Sequence, residues 1–242
     1  MNSIHYSNSK LSGFTLIIIT ILTLSSLSLN AQQGALANLK FGVHADPMIG
    51  WFGSDNSTIT NKGARPGFNF GVSVYKYFGP NYAFSTGINI ISAGGRLLSS
   101  DTTIFHLSHS QSLKLVKVNP GEAIVYKIQY LSVPLGLKLQ TNQIGYITFF
   151  TDLGLDPKVV IAGKADIPSH SIKGENAIEE IRMFNMSYHI IAGIEYGVGG
   201  NTAVALGLGF ENNFFDITRE KGAQPVDKIT HKLLSFRLGV NF

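Results

Sequence analysis

The chain has 242 residues, a formal net charge of +4, 14% charged residues, 26 glycines and no cysteine. Without cysteine there are no disulfides, no thiolate nucleophile and no Cys-ligated zinc. Lysines and arginines are scattered rather than clustered, so the mildly basic balance leaves no nucleic-acid footprint. Soluble domains carry about 25% charge; a chain this poor in charge, with 11% aromatics, must hide much of its surface from water.

The N-terminus comes first. Lys10 supplies a basic start, Phe14–Leu24 is a short apolar run, and the chain then turns small and polar up to Asn30-Ala31-Gln32. The run is too short for a comfortable helical span and lacks a basic stop-transfer flank. Residues 1–31 are therefore predicted to be a removable secretory signal peptide, with cleavage after Ala31 and no lipid anchor, since no cysteine follows. The remaining 32–242 reads as a single domain.

Past that point the pattern has period 2, the mark of strands with one apolar face. Leu39, Phe41 and Val43 oppose Lys40, Gly42 and His44; Phe68, Phe70 and Val72 oppose Asn69, Gly71 and Ser73. Phe84, Ile88 and Ile90 oppose Ser85, Gly87 and Asn89, and Leu131, Val133, Leu135 and Leu137 oppose Ser132, Pro134, Gly136 and Lys138. The alternation continues over Ile147–Gly154, Phe184–Tyr196, Ala203–Glu211 and the closing Leu234–Phe242. About eight strands are predicted, with no helical period and no long repeat.

Their connections alternate in length. Gly79-Pro80-Asn81, Thr141–Gly145 and Val198–Asn201 are tight turns. Roughly Phe52–Gly67, Arg96–Tyr126, Pro157–Met183 and Phe215–Thr230 are long and read as polar loops. All short turns then lie at one end, which predicts an all-β, eight-stranded, antiparallel up-and-down transmembrane barrel with short periplasmic turns and long extracellular loops. Both termini would be periplasmic. A soluble sandwich would need a charged outer face; here the face opposite the apolar one is mostly Gly, Ser, Ala and Asn, which suits a narrow lumen. Tyr77, Phe78, Tyr82, Tyr146, Tyr196 and Phe242 near the short turns, and Trp51, Phe52, Phe68, Phe184 and Phe214 near the long connections, read as two interfacial girdles.

The inward face carries Lys40, Lys138 and Arg237 against Asp46, Asp152, Glu195 and Glu211, with His44 and His189 among them. Unpaired buried charge is costly, so a self-paired polar network is expected in place of a conducting pore. Footholds for catalysis or a metal are few: His106 and His109 lie in the longest connection, where loop His, Ser and Asp residues could build an external site. Neither a nucleophile–base pair nor a third ligand stands at recognisable spacing. The glycines of Gly197–Thr202 form a turn without the strand-to-helix context of a phosphate cradle. Asp101-Thr102-Thr103 matches a short O-glycosylation sequon.

Tyr130, Leu131, Pro134, Leu135, Leu137 and Lys138, in the run Tyr130–Lys138, form a Tyr-Leu-x-x-Pro-Leu-x-Leu-Lys strand. That strand is similar to the signature of the outer-membrane β-barrel family often described as porin family. With Phe84–Leu97 and Phe184–Thr218, the chain resembles the PorT/SprT branch of it. The resemblance implies an outer-membrane location, insertion by the barrel assembly machinery, and an accessory role in type IX protein secretion to the cell surface, which in some bacteria supports gliding motility. It offers no catalytic residues, and the C-terminal Phe242 resembles the signal that assembly machinery reads. The expected partners are outer-membrane lipid and other secretion components, with no nucleic acid, no cofactor and no small-molecule substrate. The rival expectation is a generic surface barrel, an adhesin or structural tether.

Overall fold

In the computed structural model, residues 38–55, 59–100, 102–109, 112–219 and 228–242 are described, and Leu39–Phe242 is one compact unit. The signal-peptide expectation for residues 1–31, and Asp101 of the Asp-Thr-Thr stretch, fall outside the described residues.

Alternation of apolar and small polar residues produces twelve strands among the described residues. They are β1 (Leu39–Ser54), β2 (Ile59–Gly79), β3 (Tyr82–Ser99), β4 (Thr103–His109), β5 (Ser112–Val118) and β6 (Ala123–Ser132). After these come β7 (Leu135–Gln140), β8 (Ile147–Ile167), β9 (Ile172–Asn176), β10 (Phe184–Gly199), β11 (Thr202–Asn213) and β12 (Ile229–Asn241). Antiparallel pairing runs β10-β11-β12-β1-β2-β3-β6-β8, β7 sits between β3 and β8 below β6, and β8 pairs with β10. The sheet therefore closes into a ring of eight positions, β6 and β7 sharing one. At that size side chains just fill the interior.

The shared position is a correction to the expected continuous strand Lys127–Leu139. It is interrupted at Val133-Pro134, opposite Asp156-Pro157 of β8, because neither proline has an N–H to give the ladder. Side-chain parity survives the break: Leu131 and Leu135 point out, while Ser132 and Lys138 are buried within. The two chain ends of the ring are tied by Phe41 N–H to Phe242 O at 2.9 Å and Phe242 N–H to Phe41 O at 2.8 Å.

The long connections are the larger correction. Strands continue far past the expected loop starts: β1 and β2 leave only residues 55–58 between them, β8 reaches Ile167, and β4 and β5 make a hairpin inside the supposed loop Arg96–Tyr126. His106 and His109 thus lie on a paired strand, opposite Leu115 and Ser112. These extensions are not merely polar. Phe52, Leu97, Phe105, Leu107, Val116, Val118, Tyr126, Ile167, Ile181, Ile217 and Ile229 pack into a buried apolar cluster that forms a cap at this end of the ring. Phe52 is therefore cap core, edge-on to Tyr126 at 5.8 Å between centroids, and not part of a girdle. Tyr77 likewise turns inward, its hydroxyl donating to Gln140 Oε1 at 2.6 Å. The other residues expected at the rims lie at the outer surface, with contacts such as Phe41–Phe242, Phe78–Tyr82 and Tyr146–Tyr196.

Candidate functional site: the lumen and its cap

Three polar layers cross the ring interior. Nearest the short turns, Lys138 pairs with Glu195, whose carboxylate also accepts from Gln140 Nε2 at 2.7 Å and Asn241 Nδ2 at 2.6 Å. The Lys138 ammonium lies over the Tyr75 ring, 3.9 Å from its centroid, so a charge deep in the lumen is hydrogen-bonded and held against an aromatic face. Lys40 stands at the rim of this layer, 5.2 Å from the Tyr77 ring. An open vestibule of about 660 Å³ lies beside it.

The middle layer centres on Asp46. Its Oδ2 meets Arg237 Nη2 at 3.2 Å, His44 Nδ1 at 2.9 Å and Asn69 Nδ2 at 3.1 Å, and His44 Nε2 is 3.2 Å from Asn89 Oδ1. On the opposite wall His189 Nδ1 lies 2.9 Å from Asp156 and Nε2 3.6 Å from Asp152, while Ser85 Oγ donates to Asp152 at 2.7 Å. Between them remains a cavity of about 40 Å³, bordered by Pro134. Space of that order holds a few waters and no larger solute.

The third layer lies under the cap. Lys158 pairs with Glu211, which also accepts from Ser187 Oγ at 2.8 Å. The Lys158 ammonium sits 5.2 Å from the Tyr130 ring, and the Tyr130 hydroxyl is 3.3 Å from His231 Nδ1. Above it the apolar cluster closes the lumen. In the cap's turn, the Asn119 N–H donates to Glu122 Oε2 at 2.9 Å, which with the His170 contact holds the Glu122 carboxyl below its ordinary range.

The nine charged or histidine positions expected on the inward face line this lumen or its rim, whereas His106 and His109 lie on the β4 strand of the hairpin. Lys138 meets Glu195, Asp46 meets His44 and Arg237, and Asp152 meets His189; Glu211 meets a residue the sequence reading did not single out, and Lys40 stays at the rim. Asp156 and Lys158 were missed because Pro157 led the expected strand to end at Gly154. Their even spacing from Asp152 was the available signal. Asn69 and Asn89 were on the inward face but, being uncharged, were not counted. Of the motif residues, Tyr130 and Lys138 enter the layers just described, Pro134 borders the cavity, and Leu131 and Leu135 face outward.

A family model described as "Outer membrane protein beta-barrel domain" matches residues 30–219. The chain belongs to this family. The outer apolar surface of this outer-membrane barrel therefore faces lipid. No curated protein sequence matches it. Among solved structures it is similar to Neisserial surface protein A (13% identity, 83% of this chain and 95% of that one, TM-score 0.43). It is also similar to OprG from Pseudomonas aeruginosa (11%, 84% and 94%, 0.40) and to the outer membrane protease OmpT from Escherichia coli (8%, 86% and 97%, 0.44). Nothing of their activities is carried over to this barrel.

Proposed function

We propose that this outer-membrane barrel neither conducts nor catalyses, and that it works through protein partners as an accessory or assembly component of type IX, PorT-like protein secretion to the cell surface. The observation that carries the first half is the lumen, filled by three layers of mutually engaged charges beneath an apolar cap. A path for solute would have to break buried pairs, each removal of one partner costing about 3–5 kcal/mol. The acids and bases that could do chemistry are turned on one another. What remains available to partners is the cap and the lipid-facing wall. The secretion role is supported by the resemblance of Tyr130–Lys138 and Phe184–Thr218 to the PorT branch. In this reading both termini are periplasmic, the cap faces outward, and Phe242 at the ring closure is the residue presented to the assembly machinery.

The test is removal of the gene followed by assay of secreted cargo at the cell surface. Loss of surface cargo, restored by the wild-type chain, is expected. Unchanged cargo would contradict the secretion role and leave a surface adhesin or tether, which copurifying host or matrix ligands would identify.

A further inference from the structure

Among the described residues, the β4–β5 hairpin leaves one strand edge open. In the sheet order β8-β9-β4-β5 the last strand has a neighbour on one side only, and among the described residues β5 pairs with β4 alone. His109 and Ser112 are partners with just two residues between them, which requires that pair to be the hydrogen-bonded kind. Counting along the strand, Ser112, Lys114, Val116 and Val118 turn their backbone groups to β4. Leu113, Leu115 and Lys117 turn their N–H and C=O to the open edge.

The two faces of the hairpin differ sharply. Val116 and Val118 are buried in the cap core, so β5 is held firmly from within. Leu115 is 62% exposed, and Lys117 is exposed beside it. Such an edge is a template for another strand. Charge selects the occupant. Residues 103–118 contain Lys114 and Lys117 and no Asp or Glu. A second copy of the chain pairing edge to edge would bring like charges together, which is the way natural edges discourage self-association.

We propose that the open edge of β5 docks an extended, acidic segment of another polypeptide as an added β-strand. Main-chain bonds to Leu113, Leu115 and Lys117 would give affinity, apolar side chains would continue the Val116–Val118 row, and acidic ones would meet Lys117. The proposal rests on the reading of the cap as a partner-binding surface, and names the chemistry of the partner.

The full chain in detergent is titrated with a fluorescent ten-residue peptide of alternating valine and glutamate, and with its valine–lysine counterpart. Saturable binding of the glutamate peptide is expected, at least tenfold tighter than the lysine peptide. Leu115→Pro takes an outward N–H from the edge without taking a bond from the β4 ladder, and is expected to weaken binding at least tenfold, whereas Leu115→Thr, which also loses the leucine side chain but keeps the N–H, stays within about threefold of wild type. Barrel folding of each variant is checked by heat-dependent gel migration. Equal binding to the proline variant, equal binding of both peptides, or dimerisation of wild type abolished by Leu115→Pro would each overturn the proposal. Because the readout is binding, it can fail while gene removal still abolishes secretion, and can succeed if secretion is untouched.

Discussion

Asp46 and Arg237 face each other across the seam of the ring, Oδ2 to Nη2 at 3.2 Å. They do so where the backbone ladder between β1 and β12 is interrupted. Pairing runs from Gly42 to His44 and resumes at Met48, skipping Ala45–Pro47, and Pro47 has no N–H to offer. A side-chain pair bridges the seam where the main chain does not.

Removing one partner strands the other in the lumen. Arg237→Met is expected to destabilise the folded barrel by about 3–5 kcal/mol, and Asp46→Leu by a similar amount. The double variant should cost clearly less than the sum of the two, since neither charge is left alone. Urea titration of the barrel in lipid vesicles checks this; additive losses would mean the two residues do not work as a pair.

The cap and the ring are separable in energy. Phe52→Ala empties the centre of the apolar cluster, a loss of about 3–5 kcal/mol that falls on the cap. Limited trypsin digestion should then cut at cap sites such as Lys127 and Arg182 at least tenfold faster. The lipid-embedded ring should keep its heat-dependent gel migration.

Two glycines are needed for different reasons. A Cβ on Gly193 would lie 2.1 Å from the backbone oxygen of Leu206, so Gly193→Val should block closure of β10 on β11 and leave little folded barrel in a refolding assay. Gly145 lies in a turn with φ +65° and open space around it. Gly145→Ala should cost only about 1–2 kcal/mol, the strain of a left-handed residue, and still fold.

The lumen is sealed more than once. In planar bilayers the wild-type barrel is expected to give no discrete openings, and Lys138→Ala should remain closed because the Lys158–Glu211 layer and the cap lie on the same axis. Channel events in Lys138→Ala alone would show that the layer around Glu195 is the only gate.

Much of the ring was legible because period 2 reports which side of a strand each residue takes, irrespective of what lies beyond it. Phe41, Val43, Phe70 and Leu238 could be placed outward, and His44, Asp46 and Arg237 inward, from parity alone. The cap was not legible. Its core residues, Phe52, Phe105, Ile167 and Ile181, come from four separate stretches, and nothing in any one stretch shows that they meet until tertiary pairing brings them together. Strand extent failed for a local reason: Pro157 reads as a terminator, yet β8 carries it opposite the break at Val133-Pro134, where it only accepts, from Val133 N–H at 3.1 Å, and no N–H is asked of it. The charge partners followed the same rule. Asp46 with Arg237 joins the two ends of the chain, and only closure of the ring makes them neighbours.

The most direct test is the environment of residues on the two faces of the ring wall. The chain has no cysteine, so single cysteines can be introduced at Leu234, Phe236, Leu238 and Val240 of β12 and, for comparison, at Ser73 and Ser235. These are spin-labelled in vesicles and probed with oxygen and a water-soluble nickel reagent. The account predicts strong oxygen contact with little nickel contact at the four apolar positions, and protection from both reagents at the two serines. Nickel access at Phe236 and at its same-face neighbours Leu234 and Leu238 equal to that of a water-exposed site would contradict it.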